Sequence, residues 1–123
     1  MIALCLATLT TVVVLPASSF TLAWTHSIEK VRWEEDYRIV GTRLEATEAR
    51  VQGSAAGMEP PPGARLEKGW WHYAPAQRWL DALRLTRSPY AADYDLCIDG
   101  RCRSLAEIAP QADGVTRVYP CPS

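Results

Sequence analysis

The chain has 123 residues, 48% of them apolar and 22% charged, with 13 Lys and Arg against 14 Asp and Glu. That length supports one core, and this composition excludes a disordered chain. A formal net charge of -1 excludes the basic excess of a nucleic-acid binder and the polybasic address of a membrane-surface protein.

Residues 1–25 carry no charged side chain. The apolar run from Met1 to Leu15 falls short of the roughly 20 residues that a membrane-spanning helix needs, so no stable membrane span is expected. Two readings of residues 1–19 stay open. Ala17-Ser18-Ser19 offers small residues for signal cleavage, but no Lys or Arg precedes the apolar run. Alternatively, Ala3–Ala7 and Thr11–Leu15, rich in Thr and Val, are the first two strands of a single domain spanning residues 1–123.

Phe20–Ile28 alternates, with Phe20, Leu22, Trp24, His26 and Ile28 on one face. Val31–Ile39 alternates as well, placing Val31, Trp33, Glu35, Tyr37 and Ile39 on one face and Arg32, Glu34, Asp36 and Arg38 on the other. Glu29-Lys30 lies between these strands and can turn a hairpin without the Gly or Asn of a favoured turn. Leu44–Val51 fits strand or helix. Gly53–Gly63 is a loop, because Pro60-Pro61-Pro62 excludes helix and central strand. Trp70–Tyr73 reads as a short strand, and Trp71, if exposed, is a recognition platform. Pro75–Leu83 reads as a short helix with Trp79, Leu80 and Leu83 on one side. Leu83–Thr86 can begin a strand.

Tyr94–Ile98 and Arg101–Arg103 flank Asp99-Gly100, a strong hairpin signal. Ser104 and Glu107 have capping-box spacing and predict one helical turn before Pro110. Val115–Tyr119 reads as a last strand. Many short strands with frequent turns predict a mainly β fold, a compact antiparallel sandwich or barrel-like domain with one or two short helices.

In the Asp99-Gly100 hairpin Cys97 faces Cys102 as a non-hydrogen-bonded pair, about 4.5 Å apart at Cα, close enough for a disulfide in an oxidising compartment. Reduced thiols in a cytosolic sheet are the alternative. There is no Cys-x-x-Cys, and His26 and His72 are distant from Cys97, so no metal set is read. No cofactor motif is read either. Cleavage after Ser19 would remove Cys5 and leave Cys121 odd.

His26 and Glu35 sit on the same face of neighbouring strands and are candidates for a hydrogen-bonded pair, structural or acid–base. Ser27 points to the opposite face, which counts against a serine nucleophile activated by His26.

The run Trp24-Thr25-His26-Ser27-Ile28-Glu29, then Trp33-Glu34-Glu35, then Gly53-Ser54-Ala55-Ala56-Gly57-Met58 resembles the bacterial domain of unknown function eighteen-fifty family. Ile28 replaces the usual Val, and Ala55 stands where Gly is usual; a positive φ there would strain Ala55. The resemblance covers Phe20 to Arg103. It implies a transporter-associated role, because family members are commonly encoded near tripartite periplasmic (TRAP) transporters of the TAXI type. Their components, or a small anionic solute, are the implied partners, and a periplasmic or other extracytoplasmic location is favoured. No catalytic residue is carried over. The family marks fall on His26, Ser27, Glu29, Glu35, Gly53, Ser54, Gly57 and Met58. The functional expectation is a β-rich accessory or binding module, with a structural interaction protein and a His26/Glu35 enzyme as alternatives.

Overall fold

The computed structural model describes residues 2–25, 30–53 and 62–122. In chain order the strands are β1 (Ile2–Ala7), β2 (Val12–Leu15), β3 (Ser19–Thr25), β4 (Arg32–Val40), β5 (Arg43–Gln52), β6 (Arg65–Glu67), β7 (Trp70–Tyr73), β8 (Trp79–Leu80), β9 (Leu83–Arg87), β10 (Asp95–Ile98) and β11 (Arg101–Ser104). A short helix α1 (Leu105–Ile108) and strand β12 (Gly114–Pro122) follow. They form two antiparallel sheets that do not close into a barrel. The small sheet has the order β2-β1-β12-β9, and the large sheet β11-β10-β3-β4-β5-β7-β6, with β8 also on β5.

Period-2 patterning produces the sandwich. Leu4 and Leu6 of β1, Leu85 of β9 and Val118 of β12 face Phe20, Leu22, Tyr37, Leu44 and Leu96 of the large sheet. Leu4, Leu6, Leu44, Leu96 and Leu105 are completely buried. Each such leucine contributes about 1.5–3 kcal/mol by leaving water. The β3–β4 pairing has the expected faces, with Trp24 opposite Trp33 and Leu22 opposite Glu35. Phe20 and Tyr37, also opposite, stack with centroids 5.2 Å apart.

The Asp99-Gly100 turn has φ of 52° and 78°, the left-handed pair a tight hairpin needs. It aligns Cys97 with Cys102, and the two are disulfide-bonded with Cα atoms 3.9 Å apart. Ser104 caps α1 by accepting a 3.1 Å hydrogen bond from the Ala106 N–H. A second disulfide, Cys5–Cys121, ties β1 to β12 across 116 residues of sequence. Among the described residues no helix is long and apolar enough to cross a membrane.

One expected element is replaced. Pro75–Leu83 is not a helix: Trp79–Leu80 forms β8 on β5, with Leu44 opposite Leu80 and Glu45 opposite Trp79. A nine-residue helix is marginal by itself. Here β7 covers β5 only from Ala49 to Gln52, leaving the edge at Leu44–Ala46 to be paired. The extended segment pairs it: Ala46 N–H donates to the Arg78 carbonyl at 2.7 Å, and Arg78 Nε donates to Glu45 Oε2 at 2.6 Å. Tertiary hydrogen bonds override a weak helical pattern. The ambiguous Leu44–Val51 segment is strand.

Candidate functional site

The large sheet carries different chemistry on its two faces. On the inner face the register aligns Trp24, Trp33, Val51 and Trp71 across β3, β4, β5 and β7. Trp24 and Trp33 lie parallel at 6.3 Å, and Tyr94 tilts onto Trp24 at 6.1 Å. The next row aligns Leu22, Glu35, Ala49 and Tyr73. Tyr37 donates its hydroxyl to Glu35 Oε1 at 2.6 Å. Burial, then that bond, raises the Tyr37 pKa well above the usual phenol value, so the hydroxyl stays a donor and holds the carboxylate in place. Burial and the Glu35 charge also raise the Tyr73 pKa. Trp33 Nε1 is buried without a hydrogen-bond partner among the described residues.

The outer face is a charge ladder. Glu34 lies opposite Arg50, and Arg50 opposite His72. Arg50 donates to Glu34 Oε1 at 2.7 Å, Asp36 Oδ2 at 2.8 Å and Glu48 Oε2 at 3.2 Å. The bonds to Asp36, against the cost of burial and with help from Glu34, raise its pKa above the ordinary arginine value. Thr21 donates to Asp36 Oδ1 at 2.6 Å, and Arg32 links Glu34 to Asp95 at 2.9 and 3.2 Å.

Beside this ladder lies a depression of about 450 Å³, walled by Arg50, Arg65, Lys68, Trp70, His72 and three glutamates. Its cations are not equally committed. Arg50 is held by close partners, whereas Arg65 reaches Glu48 and Glu67 only at 3.9 and 3.7 Å. His72 Nδ1 is 3.3 Å from Glu48. Lys68 is exposed in the β6–β7 turn, where Lys68 and Gly69 have φ of 54° and 85°. The chemistry available is a pair of exposed cations, an imidazole and the half-buried Trp70 indole, set among three glutamates.

Gly53 ties this turn to the glycine-rich run. Its N–H donates to the Gly69 carbonyl at 2.7 Å. A Cβ on Gly53 would meet Leu66 Cδ1 at 2.8 Å, the Gly69 carbonyl at 3.1 Å and Trp71 Cδ1 at 3.3 Å. Glycine is required here by close packing, and its N–H is already bonded, so Gly53 itself is no member of an anion-binding nest.

Of the residues singled out from sequence, the structure brings Glu35 beside the tryptophan row, Gly53 against the β6–β7 turn, and Cys97 onto Cys102. Trp71 is half-buried beside Gly53, in the same row as Trp33. His26, Ser27, Glu29, Ser54, Gly57 and Met58 lie outside the described residues. The charge ladder was visible only in part, as the Arg32, Glu34, Asp36 and Arg38 alternation. Its partners on β5, β7 and β6 depend on strand order, which a single sequence does not print.

A family model, Domain of unknown function (DUF1850), matches residues 20–105. The chain belongs to this family. The match spans β3 to the start of α1, and so includes both faces of the large sheet. No curated protein and no solved structure matches the chain.

Proposed function

We propose that the protein is an extracytoplasmic accessory module of a tripartite solute transporter that binds a small carboxylate solute in the depression at the β6–β7 turn. The observation that carries the binding reading is the placement of Arg65, Lys68 and His72 around Trp70, with Gly53 of the family-like glycine run bonded to the same turn. Exposed cations at long range from their acidic neighbours can exchange those contacts for a ligand carboxylate at little cost. The inner face is a poorer anion site: among the described residues Glu35 is held by the neutral Tyr37 hydroxyl, whereas the three glutamates of the depression are offset there by Arg50, Arg65 and Lys68. Two disulfides support an oxidising compartment. The transporter association rests on the motif resemblance and on the genomic company that it implies.

Binding is tested by titrating mono-, di- and tricarboxylates while following tryptophan fluorescence and the thermal midpoint. At least one acid should raise the midpoint by mass action and should lose that effect in an Arg65→Ala/Lys68→Ala variant. An unchanged midpoint across the panel, or an equal response in the variant, refutes the site. The transporter role is tested by deleting the gene in its host: uptake of the bound acid should fall, and should return with the native gene but not the double variant.

A further inference from the structure

Among the described residues the two sheets end in four edge strands along their main paths: β2 and β9 in the small sheet, β11 and β6 in the large one. An edge strand presents unpaired backbone groups to any passing strand, and charged side chains are a usual defence. Three of the edges have it. β9 carries Arg84, β11 carries Arg101 and Arg103, and β6 is three residues long with Arg65 and Glu67. β2 has no such defence. It is Val12-Val13-Val14-Leu15, in a stretch with no charge from residue 1 to 25, and Val12 and Val14 are each 53% exposed. The β1–β2 turn adds Leu9, 76% exposed. Behind Val14 the outer face of the small sheet stays apolar, through Cys5 opposite Val14 and then Tyr119 opposite Cys5.

We infer that β2 is a self-pairing edge through which two copies of this chain join antiparallel about a two-fold axis, making one continuous sheet from two small sheets. Symmetry and charge select a second copy as the occupant. Pairing Val13 with Val13 of the second copy puts Val12 opposite its Val14 and keeps both core faces on the same side of the joined sheet. Val12, Val13 and Val14 then meet only valines, and Leu15 meets Thr11 of the second copy, so no charge is apposed and β-branched pairs dominate the seam. The same operation on β11 would set Arg101 against Arg103, like charge on like charge. A partner chosen by charge would find nothing on β2 to read. The main chain supplies the hydrogen bonds, as in other strand-addition complexes. The exposed Val12 and Val14 side chains of both copies meet in one apolar strip along the seam on the outer face.

Sedimentation equilibrium of the oxidised full chain tests this. The wild type should move from 13.7 kDa toward twice that mass as concentration rises. Val14→Lys places a charge in the pair at an exposed position and should weaken self-association by about tenfold or more. Val12→Glu is the second variant, should the first fail to fold by circular dichroism. A wild type that stays at 13.7 kDa into the millimolar range overturns the inference, as does a folded variant that associates as tightly as the wild type.

Discussion

In the small sheet the charged groups are few and one of them is sealed; in the large sheet they are many and half in water. Arg87, on β9, has a side chain only 1% exposed. It makes a two-pronged contact to Asp93 at 2.9 and 2.9 Å, and donates to the Ala109 carbonyl at 2.9 Å and Thr116 Oγ1 at 3.0 Å. One arginine thus fastens the segment after β9, the end of α1 and β12 together. On the large sheet Arg50, 19% exposed, shares its donors among three carboxylates along the outer face. The disulfides divide in the same way: Cys5–Cys121 closes nearly the whole chain, and Cys97–Cys102 closes one hairpin. The difference teaches that long-range closure is concentrated in the small sheet. The large sheet is held by local register and by a distributed charge network, which leaves its outer face wet.

The largest expected effect breaks the small sheet's closure. In the chain-entropy account a loop of this length is worth about 5 kcal/mol, and the hairpin loop about 2 kcal/mol. A Cys5→Ser/Cys121→Ser variant should therefore lose far more stability in denaturant unfolding than Cys97→Ser/Cys102→Ser. Equal losses would remove the contrast.

Next come the arginines. Arg87→Met leaves the Asp93 carboxylate without its partner and should cost about 3–5 kcal/mol, with little dependence on salt. Arg50→Met should cost about 1–2 kcal/mol, and the loss should shrink as salt screens the remaining carboxylates. Chemical denaturation in urea at low and high salt checks both, and a salt-insensitive Arg50 would show that the ladder is not the solvated network described.

The smallest effect is on pH dependence. Glu45 is buried, and hydrogen bonds from Arg38 and Arg78 lower its pKa below the ordinary glutamate value. A lowered folded-state pKa gives stability that is present above the unfolded value and is lost as pH falls through the folded one. Glu45→Gln should flatten the acid limb of the stability profile and leave the neutral-pH slope alone. A parallel shift of the whole profile would assign Glu45 a packing role instead.

Local features were legible. The Asp99-Gly100 turn, the Ser104 cap and the alternation of β3 and β4 each depend on residues a few positions apart, and the chain folds there as its pattern says. Cys5–Cys121 was hidden because it follows from β1 lying beside β12, a neighbour relation set by the sandwich. The depression at the β6–β7 turn is hidden for a related reason. Lys68-Gly69 lacks the Asn-Gly or Asp-Gly of a recognisable turn, so the local pattern carries no sign of β6 or of Arg65 pairing with His72. The segment Pro75–Leu83 failed in the opposite direction: its local pattern was helical, but the bare edge of β5 and the Glu45 carboxylate held it extended.

The central claim is an extracytoplasmic module, locked in both sheets by disulfides. Intact mass after thiol labelling, on protein recovered from its host with and without prior reduction, tests it most directly. The account predicts no label before reduction and four labels after it, in the extracytoplasmic fraction. Four labels without reduction, on protein found with the cytosol, would contradict it.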